Sequence, residues 1–254
     1  MAEEESSPTR RPKNQGETSR RFEWFVPGFG TLRLRSFIGL LFLPYTGMVL
    51  SFSVMGSMLA HHVHWGRVLA IVVIYFLGLG VSAHALDALG SKGTKPWGEY
   101  FTKGELWLLG TIPLVLAYLI AIYYMIRYVP LLWPVAILEG FFVFAYNLEW
   151  FRGKFHGDFW FALSWGFLPV TAGYIMQTNR LSAAAVFMAI SMGLFSLVEI
   201  TASRPYKDLK RSSPVSQGDE EIMTMKKYER ILKSISLGVI FLGVGFIIWR
   251  AAMP

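Results

Sequence analysis

WGRVLAIVVIYFLGLGVSAHALD, residues 65–87, decides the fold class. From Val68 to Leu86 the run carries no Lys, Arg, Asp or Glu. A bilayer core of about 30 Å needs roughly 20 such residues in a helix. The run ends on His84-Ala-Leu-Asp87, a histidine and an acid where apolar sequence should simply stop. One reading is a helix end meeting water. The other is a pair of ligands for a metal or a phosphate, since positions i and i+3 share a helix face.

The rest of the 254-residue chain repeats the apolar pattern, with 54% hydrophobic and only 16% charged residues. A soluble domain of this size carries about a quarter charged residues. Seven apolar segments can be read, at 36–60, 65–86, 105–128, 132–150, 158–177, 181–202 and 235–253. Pro44, Pro113, Pro134 and Pro169 fall inside them, each a candidate kink. No segment alternates as the strands of a membrane barrel would. The expected fold is all-α, a polytopic transmembrane helical bundle of about seven spans. The expected location is an integral, multi-pass membrane protein, in the plasma membrane if the source is prokaryotic.

Basic residues set the expected orientation. With the N-terminus cytoplasmic, the inner segments hold 20 of the 24 Lys and Arg, and the outer ones only Arg67, Arg127, Arg180 and Arg250. This is the positive-inside pattern. The net charge of +7 is then a topology signal with attraction to anionic lipid, not a sign of nucleic-acid binding. Residues 1–32 read as a disordered cytoplasmic tail that ends in an interfacial aromatic stretch. Residues 33–254 form the membrane domain, with a cytoplasmic loop at 203–233. The second half of that loop, 219–233, reads as an amphipathic helix lying on the inner leaflet. The absence of cysteine excludes disulfides, thiolate metal sites, Fe–S clusters and palmitoylation through cysteine.

An ionised acid at the centre of a span costs roughly 3 kcal/mol, so each acid in or beside a span needs a reading. Asp87, Glu149 and Glu199 come from three different segments, and all fall at the expected cytoplasmic face. Glu139 lies deeper, and shares a stripe of the fourth segment with Tyr146 and Glu149. Lys92 and Lys95 follow Asp87, and Arg152, Lys154 and His156 follow Glu149. Carboxylates beside cations suit a Mg²⁺–diphosphate site: hard oxygens hold the metal and Lys or Arg neutralise phosphate. Ordinary interfaces also carry such residues. The cluster His61, His62 and His64 has metal-like spacing, but falls on an outer turn, where a solvated interface is the simpler reading.

The stretch RLRSFIGLLFLPYTGMVLSF, 33–52, resembles the first helix of UbiA-type intramembrane prenyltransferases, whose entry pattern is R-L-x-R-P-x-G. Arg33, Leu34, Arg35 and Gly39 carry the likeness, and no proline follows Arg35. Residues 83–91 stand where that family has N-D-x-x-D-x-x-x-D: Asp87 is kept as an acid, His84 replaces another, and Ala83 and Ser91 depart. YNLEWFRGKFHGDFWFALSWGFLPVTAGY, 146–174, resembles the family's connection between its fourth and fifth helices. The second aspartate motif should fall in SLVEITASRPYKDLKR, 196–211, where Glu199 and Asp208 are the acids present. The likeness covers Arg33 to Arg211.

This resemblance implies an enzyme that acts on an isoprenoid diphosphate, by prenyl transfer to an acceptor or by terpenoid cyclisation. Mg²⁺ would sit on Asp87, His84 and Glu199. Lys92, Lys95, Arg152, Lys154 and Asn147 would hold the diphosphate, and Asp87, His84, Glu149 and Tyr146 would be catalytic. Phe142, Tyr146, Trp150 and Trp165 would wall the carbocation. The alternative is a non-catalytic bundle that binds a lipid or quinone, or serves as a subunit of a membrane complex. A transporter with Glu139 and His84 as a proton relay ranks last, because no inverted repeat supports it.

Overall fold

Phe42 divides the first apolar segment in two. Its backbone is left-handed, with φ 45° and ψ 57°, a conformation that a bulky residue holds only where its surroundings enforce it. Tyr45 and Phe25 meet its ring edge-on at 4.0 and 5.2 Å between centroids. The helix Leu32–Leu41 (α1) therefore stops, and Leu43–Met58 (α2) restarts at 41° to it. Pro44 lies in the first turn of α2, where its missing N–H has no helical partner to lose. The structure, a computed structural model, describes residues 23–90, 100–211 and 218–252.

Six further helices follow: Trp65–Gly90 (α3), Lys103–Arg127 (α4), Leu132–Asn147 (α5), Asp158–Thr178 (α6), Ala183–Arg211 (α7) and Asp219–Ala251 (α8). The described residues form helices, turns and short connections, with no strand among them. Among them, α3, α4, α6, α7 and α8 are long and apolar enough to cross a membrane, and the bent α1–α2 pair adds a sixth if it counts as one span. α5 is apolar but has only 16 residues, about 24 Å at 1.5 Å per residue.

Two expected boundaries move. α7 does not end near residue 202 but continues through Pro205 to Arg211. α8 takes the expected surface helix and the last apolar segment into one helix of 33 residues, about 50 Å long. Packing explains both changes. Tyr206 and Leu232 are buried together with Phe42 and Tyr45, and Met225, Tyr228 and Ile231 pack against them. The apolar side read as facing lipid is thus turned onto the chain's own core.

The stretch before α1 is docked in the same way. Glu23 is buried. Tyr206 Oη donates to its Oε2 at 3.0 Å, and Lys210 Nζ lies 2.8 Å from its Oε1. Lys233 sits over the Trp24 ring at 5.3 Å. The interfacial reading thus fails for Glu23 and Val26, which are buried, while Phe29 is 80% exposed.

α2 is the hub of the bundle and lies closest to α6 and α8. The loops sort to two ends. At one end, the His64 N–H donates to Gln177 Oε1 at 2.7 Å, Arg67 donates to the Met176 and Gln177 carbonyls, and the Leu131 N–H donates to Asn179 Oδ1 at 2.9 Å. Arg250 donates to the Ala60 and His61 carbonyls there. His61, His62 and His64 are exposed on this turn. At the opposite end lie the N-terminal segment, the close of α3, α5 and α7, and the start of α4, α6 and α8.

Candidate functional site

Two helices leave α-geometry as they approach the second end. α3 widens to a π-helix over Phe76–Ala83, just before His84, and α6 does so over Leu163–Phe167, around Trp165. Such widenings re-aim the side chains that follow and concentrate at functional sites. In α6 the wide turn also precedes Pro169, whose ring and missing N–H an α-turn would not accommodate. His84 and Trp165 face each other at 5.2 Å between ring centroids.

Tyr146, near the end of α5, gathers the polar groups. It is buried, and Asp87 of α3, Glu199 of α7 and Arg204 of α7 all lie within electrostatic reach of its hydroxyl. Arg204 is held in place: it donates to the His156 carbonyl at 2.9 Å and pairs with Asp158 Oδ1 at 3.0 Å. Asp158 opens α6, where a helix N-terminus favours an acid. His156 stacks on Tyr146 at 4.5 Å, and its Nδ1 lies 3.0 Å from the Tyr146 carbonyl. Glu199 is 2% exposed, with Lys207 and Tyr45 as the polar groups acting on its carboxyl. Its Oε1 is buried and has no hydrogen-bond partner among the described residues. The acids at Asp87 and Glu199 therefore meet at one tyrosine, as their common end of the bundle requires.

An aromatic path lines this end. Tyr146 lies 5.8 Å from Phe161, which stacks on Trp165 at 5.3 Å, which in turn faces His84. Phe142 belongs to a neighbouring cluster with Trp160 and Phe155. Trp150 stacks on Phe144 and is 46% exposed, so it forms no part of the path.

The remaining sequence-predicted residues divide. His84 Nε2 lies 3.5 Å from Thr46 Oγ1, whose own proton goes to the Leu41 carbonyl at 2.6 Å. Among the described residues no three His, Cys, Asp or Glu side chains gather to hold a metal ion. Glu149 does not continue the stripe of Glu139 and Tyr146, because α5 ends at Asn147 and Glu149 follows with φ 52°. Asn147 Nδ2 donates back to the Val143 carbonyl at 2.8 Å, which ties the amide to its own helix. Arg152 and Lys154 are exposed on the loop. Lys92 and Lys95 lie outside the described residues. Glu139 faces α3 instead, accepting from Tyr75 Oη at 2.9 Å.

Sequence reasoning missed Arg204, Asp158, Tyr45 and Lys207. Placing 203–233 in a loop hid the first and last of these. The missed signal was helical phase: Ser196, Glu199, Ser203, Arg204 and Lys207 recur at spacings of one, three and four, and the first three are buried. Comparisons of the chain with family models, with curated proteins and with solved structures find no match.

Proposed function

We propose that the protein is an integral, multi-pass membrane protein with a cytoplasmic N-terminus, and a UbiA-like enzyme that acts on an isoprenoid diphosphate by prenyl transfer or terpenoid cyclisation. One observation carries this reading: Asp87 from one helix, and Glu199 and Arg204 from another, lie within electrostatic reach of the buried Tyr146 hydroxyl, at the end of the bundle that holds most of the basic residues. Arg204, already fixed by His156 and Asp158, meets a phosphate without reorganising. Lys207, Arg152 and Lys154 add positive charge at the same end, and Lys92 and Lys95 follow Asp87 in the sequence. Tyr146, Phe161 and Trp165 shape an aromatic wall that excludes water from an apolar chain.

Asp87 and Glu199 suit Mg²⁺, which takes one or two carboxylates and completes its shell with water and phosphate. The unpartnered Glu199 Oε1 is a donor of the right hardness. When bound, the ion would neutralise charge on the leaving diphosphate. Incubation with labelled prenyl diphosphates of several lengths and Mg²⁺ tests the reading. Release of inorganic diphosphate is expected. Neither release nor affinity in a folded sample overturns it.

The second reading is a non-catalytic bundle that binds a lipid or quinone, or joins a membrane complex. It is favoured by the departure of the second aspartate motif, where Glu199 and Asp208 are the only acids in 196–211. Native mass spectrometry of co-purified lipid separates the two readings.

The orientation has its own test, because the chain contains no cysteine. A single His62→Cys variant, on the end opposite Tyr146, should react on intact cells with a membrane-impermeant maleimide. Lys154→Cys should react only after permeabilisation. The reverse pattern would invert the topology.

A further inference from the structure

A second polar feature lies apart from the Tyr146 cluster and plays no part in the reading above. Seven residues earlier on α5, about 10 Å along the helix, Glu139 lines a cavity between α3, α4, α5 and α6. The cavity opens to the outside, the unfilled space there together with the open space beyond its mouth is about 540 Å³, and its walls are otherwise aliphatic apart from Tyr75 and Tyr118.

Both phenols have committed their protons. Tyr75 Oη donates to Glu139 Oε1 at 2.9 Å. Tyr118 Oη donates to the Ala136 carbonyl at 2.6 Å. Gly140 makes room for that second bond, since a Cβ there would stand 2.1 Å from Tyr118 Oη. Glu139 Oε2 is buried and has no hydrogen-bond partner among the described residues. Gly78, on the opposite wall, is buried, yet a Cβ added to it would meet nothing within 4 Å. With Glu139 as the carboxylate, the cavity offers free space and one unmet acceptor on an aliphatic surface. Its complement is an apolar body that carries a single hydrogen-bond donor.

We propose that this cavity is a binding site for a lipid-soluble molecule with one donor head group, a hydroxyl or an amine, which pairs with Glu139 Oε2. Pairing satisfies the oxygen that no protein donor reaches. The aliphatic walls accept the rest of the molecule.

The probes are an eight-carbon alcohol and an eight-carbon amine, each carrying a diazirine, with the donorless alkane analogue as control. The full chain is irradiated with each in lipid nanodiscs, and adducts are mapped by mass spectrometry. The donor-bearing probes should label residues 71–79, 114–121 and 135–143, and the alkane should label them weakly. Glu139→Gln keeps an acceptor for Tyr75 but turns the free oxygen into a donor, and should cut labelling about tenfold. Gly78→Leu fills the space, and should cut it at least as much. Loss of the amine signal alone in Glu139→Gln assigns a cationic head group, and loss of both assigns a hydrogen-bond donor of either kind. Thermal unfolding checks that each variant is folded. Should Glu139→Gln fail to fold, Gly78→Leu and the alkane control decide. Equal labelling by the alkane, or labelling unchanged in the folded variants, overturns the proposal.

Discussion

Gly56→Ala and Gly173→Ala should each lower the thermal midpoint sharply, by an amount equivalent to about 3 kcal/mol, the upper end of ordinary overpacking. These two glycines let α2 and α6 touch through their backbones. A Cβ at Gly56 would stand 2.0 Å from the Val170 carbonyl oxygen, and one at Gly173 would stand 2.0 Å from that of Ser53. Neither obstacle is a side chain that can turn away, so the helices must part. Parting them also loosens Ser57 Oγ, which donates to the Gly173 carbonyl at 3.2 Å. Where lipid surrounds helices, close packing of small residues supplies much of the attraction between them. The effects of the two substitutions should add to less than their sum, because the first opens the seam for the second. Gly238→Ala, whose added Cβ meets nothing within 4 Å, is the control and should be neutral or slightly stabilising. Fluorescence-detected unfolding in detergent measures the parent chain, the two single variants, the double variant and the control. A Gly56→Ala midpoint equal to that of Gly238→Ala would show that the seam contributes nothing.

On the proposed reading, Asp87→Asn should reduce diphosphate release by about 100-fold or more, the scale on which removal of one preorganised electrostatic group acts. The amide keeps the size of the acid and removes its charge, so the thermal midpoint should stay near that of the parent chain. Asp87 is half-buried and its charge is felt at Tyr146. Arg152→Gln is the contrast. Its side chain is exposed, so its removal should cost only about threefold, the yield of a screened surface charge. Equal losses in the two variants would move the head group from the helix ends to the loop. Full activity in Asp87→Asn would take the acid out of the reaction and favour the non-catalytic reading.

What the sequence made legible followed from periodicity and cost. Long uncharged runs have few stable forms in lipid, so the all-helical architecture could be read from the hydropathy pattern alone. Asp87, Glu199 and Tyr146 stood out as candidates, because polar groups on apolar helices are expensive, and they fall at one end of the bundle. Three things were hidden. Phe42 breaks the first segment through a left-handed backbone that its composition does not announce. Pro205 looks like a helix end, yet α7 passes through it, because Tyr206 and the residues around it are held against α8 and Glu23. The exposed loop cations look equivalent to Arg204 in sequence. Only the contacts to His156 and Asp158 distinguish the one that is fixed.

The widened turn in α3 works as a frame shift written into a helix. Each residue advances an α-helix by about 100°. The wide turn takes up one residue more than ordinary α-turns would over the same arc. Were the same residues wound as α-turns, everything after Phe76–Ala83 would rotate by about that step, and Asp87 would swing away from Tyr146 while His84 left Trp165. The polar end of this bundle is thus set by phase as much as by which residues are present. A chain with the same amino acids and no wide turn would keep its helix and lose this arrangement.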